Sequence, residues 1–146
     1  KKMKESNFWK QIKSNLPTNC FATRIENRHG GGIPDTHIVW DGLSFWLELK
    51  TTKNNTINIS PAQIAWNTAY SLRGGLCFIL VRPSKESSIL LFGGHDARDL
   101  AHSGLDLDPL FRASSYQELF NFIRDSFGSG SGSGFSGRVG SDKELA

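Results

Sequence analysis

The stretch GIPDTHIVWDGLSFWLELK, residues 32–50, decides how this chain is read. Two apolar runs, Thr36 to Trp40 and Leu43 to Leu49, flank Asp41-Gly42. Asp-Gly between β-prone runs marks a two-residue hairpin, because both central residues of that tight turn take positive φ. The turn length then dictates the pairing: Trp40 with Leu43, Val39 with Ser44, Ile38 with Phe45, His37 with Trp46 and Thr36 with Leu47. Carried one step further, Asp35 meets Glu48. Paired residues share a face with Cβ atoms about 4.5–5.5 Å apart. Lys50, two residues past Glu48, shares that face as well. A four-residue loop would pair Asp35 with Lys50 and keep the three together; a three-residue loop would separate them.

Two carboxylates this close resist ionising together, and a divalent cation relieves the repulsion. Magnesium takes one or two protein carboxylates and keeps its other positions for water and phosphate oxygens. A neighbouring lysine can orient the attacking water or hold the phosphate. The patch therefore has the minimal parts for metal-assisted phosphodiester hydrolysis. Read blandly, it is a surface salt bridge with Lys50 between two acids. That reading is weakened by the setting of Glu48 among Trp46, Leu47 and Leu49, since apolar strands seldom carry ionisable groups without a reason.

Working outward, the chain reads α-β-β-β-α-β-β-α, a mixed sheet with helices on it. Ser6 or Asn7 is placed to cap a first helix to about Leu16, with Phe8, Trp9, Ile12 and Leu16 on one face and Pro17 beyond. CFATRIEN alternates as a half-buried strand, Phe21, Thr23 and Ile25 against Ala22, Arg24 and Glu26. Arg28 to Gly32 is a glycine-rich loop. Ser60-Pro61 opens a second helix, with Ile64, Ala65, Ala69 and Leu72 as its apolar stripe and Gly74-Gly75 at its end. LCFILVR, residues 76–82, is a continuous apolar run suited to a central strand covered on both faces. SILLF, residues 88–92, is a further strand, and HDARDLAH suits a short helix. Ser115 and Glu118 form a capping-box pattern before a last helix to about Phe127. Residues 1–127 read as one domain and 128–146, which open with GSGSGSG, as a flexible tail.

The totals set bounds. The chain has 146 residues with 38% hydrophobic and 11% aromatic residues, which favours a packed globular fold over disorder. Net charge is only +3, but residues 1–53 carry nine Lys/Arg against five Asp/Glu, so the basic half contains the patch, as an anionic partner such as DNA requires. Cys20 and Cys77 form no disulfide framework and read as reduced core thiols. No apolar run is long enough to span a bilayer and no secretory signal is evident, which predicts a cytoplasmic protein.

The order of these elements resembles the PD-(D/E)XK nuclease superfamily. Pro34-Asp35 is followed after a gap by Glu48-Leu49-Lys50 on an apolar strand. The details are most similar to its small phage and VRR-NUC type members, which include Holliday-junction-resolvase-like enzymes. Arg24-Ile25-Glu26-Asn27, the glycine loop to Gly32, Gly32-Ile33-Pro34-Asp35, Glu48-Leu49-Lys50 and Ser60-Pro61-Ala62-Gln63 follow one another as they do there, over roughly the first 82 residues. The resemblance implies an α/β, restriction-endonuclease-like αβββαβ core with a mixed central sheet flanked by helices. It implies Asp35 and Glu48 as metal ligands with the Leu49 carbonyl, Lys50 as the group that positions or activates water, and Mg²⁺ or Mn²⁺ as cofactor. Glu26 is either a further acid or the ion-pair partner of Arg24; some members draw that acid from the first helix, here Glu5. Gln63 is either an active-site residue or the plain partner of the Ser60 cap. Arg24, Arg28, His29, Lys13 and Lys53 are candidate phosphate contacts. His37 either lines the site or packs opposite Trp46, and the four tryptophans read as core.

The resulting expectation is a Mg²⁺-dependent endonuclease for branched, nicked or junction DNA, in a bacterial or phage-infected cytoplasm, with a homodimer suggested by two strands needing two sites. The alternatives are a restriction-type enzyme that cuts at one sequence, and a non-catalytic nucleic-acid-binding module on the same fold.

Overall fold

The computed structural model describes residues 3–25 and 31–128. The elements in chain order are α1 (Glu5–Ser14), β1 (Cys20–Arg24), β2 (Thr36–Trp40), β3 (Leu43–Thr51), α2 (Pro61–Leu72), β4 (Cys77–Arg82), β5 (Ile89–Gly93), α3 (Ala97–Ser103), β6 (Phe111–Ala113) and α4 (Tyr116–Phe127). The first six follow the expected αβββαβ order. The strands form one six-stranded sheet in the order β1-β2-β3-β4-β5-β6. All neighbours are antiparallel except β3 and β4, which are parallel and joined across the sheet by α2. The fold is mixed α/β, as the sequence predicts.

The hairpin forms as its turn demands. Asp41 and Gly42 both have positive φ, 53° and 79°, and the pairs run from Trp40 with Leu43 to Thr36 with Leu47. The ladder stops there. Asp35 lies in a bend before β2, so the expected Asp35–Glu48 pair is replaced by a side-chain contact described below.

Each face of the sheet has its own core. On one, Phe8 and Ile12 of α1 and Leu119, Phe120 and Ile123 of α4 pack on Ile38, Phe45, Leu47, Leu49 and Phe78. On the other, Ala97 and Leu100 of α3, with Ile57 and Ile59, pack on Ile79, Val81, Leu90 and Phe92. The central strand β4 is buried on both faces up to Arg82, as its unbroken apolar run predicts.

Three expectations need correction, and one strand has no counterpart among them. Helix α1 starts at Glu5 behind Lys4, with no side-chain cap, and ends at Ser14; Glu5 itself suits the first turn, where the helix dipole favours an acid. Strand β1 faces the other way from its apolar look: Phe21 is 70% exposed, while Arg24 lies over the Trp9 ring at 5.1 Å. Helix α2 does not pack on Ala65, Ala69 and Leu72. Its inward residue is Asn67, fully buried, because Gly94 brings the chain against the Asn67 amide where a Cβ would collide. The three-residue strand β6 is too short to leave a periodic signal.

Candidate active site

Glu48 and Lys50 lie on the face of β3 that α2 covers, 2% and 8% exposed. Asp35 reaches them from the bend: its Oδ2 accepts the backbone N–H of Leu49 at 2.9 Å. That bond caps the amide left free where the β2 ladder ends. A strand residue presents N–H and C=O to the same neighbour, so the Leu49 carbonyl also faces the Asp35 side.

Gln63 ties the charges together. Its Nε2 donates to Glu48 Oε2 at 2.9 Å, and its Oε1 accepts from Lys50 Nζ at 3.0 Å. The same Oε1 accepts from the Ser60 N–H at 3.0 Å, while Ser60 Oγ accepts from the Gln63 N–H at 3.1 Å. The capping box and the contact with the charged patch are therefore one arrangement, made by one side chain. Two donors meeting Oε1 and a carboxyl meeting Nε2 also define the amide's orientation. Lys50 Nζ stands 3.7 Å from Glu48 Oε2. Gly32, with φ of 79°, lies against the Ala62 carbonyl so closely that a Cβ would sit at 2.1 Å from its oxygen. Only glycine lets the loop rest on the first turn of α2 beside Gln63.

Burial first, and then the Asp35 charge, pushes the Glu48 carboxyl up from its ordinary 4.5 to about 8. Lys50 opposes the rise, and the field of Glu5 adds to it. Glu48 Oε1 is buried without a hydrogen-bond partner; beside Asp35 it can share a proton when neutral, or a cation when ionised. An orphaned carboxylate oxygen next to a second carboxylate, with a backbone carbonyl at hand, fits a hard divalent cation. No group of three His, Cys, Asp or Glu side chains able to hold a metal occurs among the described residues.

The other expected residues that the structure describes are dispersed. Glu26, Arg28 and His29 lie outside the described residues. Arg24 is on the opposite face of the sheet, engaged with Trp9. Lys13 is exposed in the last turn of α1, about 12 Å along the helix from Glu5. Lys53 is exposed and pairs through its backbone with Thr56. Glu5, by contrast, borders a cavity of about 300 Å³ with Thr51, the residue after Lys50. His37 donates to or accepts from Ser44 Oγ at 3.0 Å and sits against Trp46, ring centroids 4.6 Å apart.

No known family and no curated protein matches the sequence. Among solved structures the chain is similar to Hjc, a Holliday junction resolvase from the archaeal hyperthermophile Archaeoglobus fulgidus. The TM-score is 0.45 and the identity 13%, over 62% of this chain and 74% of that one. A likeness this distant assigns no residue a role. No helix among the described residues is long and apolar enough to cross a membrane.

Proposed function

We propose that this protein is a divalent-metal-dependent endonuclease that hydrolyses DNA phosphodiester bonds, with branched or nicked DNA as its preferred substrate. The observation that carries the reading is the buried pair Glu48 and Lys50 bridged by Gln63, with Asp35 bonded to the Leu49 N–H between them and one Glu48 oxygen left unsatisfied. A salt bridge kept for stability alone does not need this burial, which costs more than it returns unless every group is satisfied.

Asp35 and Glu48, with the Leu49 carbonyl, would hold Mg²⁺ or Mn²⁺. When bound, the ion supplies a lower pKa to its water and charge stabilisation to the phosphate. Glu48 must be ionised to serve, so metal and proton compete for it and metal affinity rises as pH climbs toward 8. Lys50 holds its ammonium at the edge of the carboxylate pair, where it can hydrogen-bond an attacking water or a non-bridging phosphate oxygen. Gln63 is a positioning residue: it fixes Lys50 and Glu48 to the rigid N-terminus of α2. Glu5 is the first-helix acid that the superfamily resemblance allows, and its field already reaches Glu48. Preference for branched or nicked DNA follows from that resemblance. A homodimer would present one site to each strand.

The test uses labelled linear, nicked, flapped and four-way DNA, with Mg²⁺ or EDTA, and an Asp35→Ala variant. Wild-type cleavage that requires Mg²⁺ and is lost in the variant is expected. Equal cleavage in EDTA, or by Asp35→Ala, would overturn the metal site. Binding without cleavage of any substrate would point instead to a binding module, and cutting of linear duplex at one sequence to a restriction-type enzyme.

A further inference from the structure

The face of the sheet that carries Glu48 and Lys50 is only half covered. Helix α2 lies over the β3 end, and no described element covers the β1–β2 half. There Phe21 pairs with Val39 and Thr23 with His37, and Phe21 and Val39 are 70% and 39% exposed.

From the edge of this open half an unbroken line of rings runs onto α2. His37 on β2 meets Trp46 on β3 at 4.6 Å. Trp46 meets Trp66 on α2 at 5.6 Å. Trp66 stacks on Tyr70 at 4.7 Å with planes 18° apart. Trp46, Trp66 and Tyr70 are half-buried and belong to neither hydrophobic core. They pack on one another rather than into either core, and the Tyr70 ring also lies against Gly75.

The line passes beside the candidate active site. Trp46 precedes Glu48 by two residues on the same face, and Trp66 follows Gln63 by about one helical turn. It ends at an open depression of about 260 Å³ lined by Trp66, Ala69, Tyr70 and Arg73. The Arg73 guanidinium is held at that rim by the Ala69 carbonyl, 3.0 Å from Nη1.

We infer that the ring line is a stacking platform for the unpaired bases of a single DNA strand that leaves the catalytic patch along α2, with Arg73 meeting its backbone. Bases stack on aromatic side chains without regard to sequence, and an arginine beside the rings meets the phosphate charge. The occupant is a nucleic acid rather than a peptide because the platform is continuous with a phosphodiester-binding patch and ends on a cation. This rests on the nuclease reading and sharpens it: the substrate carries a single-stranded arm, as a flap or a frayed nick does.

The test compares binding, by fluorescence anisotropy in EDTA, of a duplex with a short thymine tail and the same duplex with an abasic tail. The two tails have the same phosphates and differ only in bases. The wild-type protein is expected to favour the thymine tail by roughly tenfold, with quenching of tryptophan fluorescence. Trp66→Ala is expected to remove the preference and Trp66→Phe to keep most of it. Equal affinity of the wild-type protein for the two tails, or affinity for neither, overturns the proposal without relying on any variant to fold. Cleavage in a parallel Mg²⁺ reaction separates the two readings. Cutting with no base preference sinks the platform alone; base preference without cutting supports the platform and sinks the nuclease.

Discussion

The two halves of β3 are built on opposite rules. From Leu43 to Leu47 burial alternates, with Leu43, Phe45 and Leu47 inward and Ser44 in solvent. From Glu48 to Thr51 every residue is buried. The strand is continuous, so its own geometry does not differ between the halves. What differs is the covering layer. The first half has the core on one side and, on the other, Ser44 in solvent and Trp46 only partly covered by Trp66 of α2. The second half has the core on one side and the first turn of α2, with Gln63, on the other. A strand that is an ordinary half-buried hairpin partner at one end thus becomes a low-dielectric charge holder at the other.

The sharpest break in that comparison is predicted at its apolar end. Phe45 is fully buried against Phe78, ring centroids 5.8 Å apart. Phe45→Ala should lower unfolding free energy by about 3–5 kcal/mol, read from urea denaturation. A loss below about 1 kcal/mol would mean that the first half of the strand is not the stabilising one.

At the other end, Lys50→Ala should reduce Mg²⁺-dependent cleavage by about 10²–10³-fold while the circular dichroism spectrum stays native. Unchanged turnover would remove Lys50 from the chemistry and leave it a structural counter-ion.

Glu48 gives an effect of opposite sign. Its carboxyl titrates near 8 in the fold against an ordinary 4.5, so between those values the folded state holds a proton that the unfolded chain has released. Stability from this group is therefore fully present below about pH 4.5 and is lost as pH rises through about 8. Glu48→Gln keeps the neutral form at every pH. In EDTA it should be more stable than wild type by about 1–3 kcal/mol at pH 8 and indistinguishable at pH 4. Equal stability of the two proteins at pH 8 would show that the site holds the ionised carboxylate at no cost. The smallest effect belongs to the exposed position of the first half: Ser44→Ala should change stability by less than about 0.5 kcal/mol, losing only the surface hydrogen bond with His37.

Much of this was legible in the sequence because it is local. Asp41-Gly42 specifies a two-residue turn, and a two-residue turn specifies the parity of every residue on both strands, which is how Asp35, Glu48 and Lys50 could be grouped. Ser60, Pro61 and Gln63 announce a helix start for equally local reasons. The bend at Asp35 was not legible, because nothing in the pairing says where a ladder stops. Nor was the open face of β1: CFATR alternates, but alternation does not say which side receives a helix. The inward face of α2 was misread because apolarity was the guide, whereas Asn67 packs there through a hydrogen bond to the Gln63 carbonyl at 2.9 Å and the space left by Gly94.

By itself, then, the sequence determined the element order, the hairpin register and the candidate charged residues, since turn chemistry and strand parity act over a few residues. Only the tertiary structure decided that Gln63 is both helix cap and bridge between Glu48 and Lys50, that Glu48 is buried deeply enough to hold its proton, and that a row of half-buried rings lies beside it. Those outcomes depend on where α2 comes to rest on the sheet, and that is set by long-range packing, which no local pattern encodes.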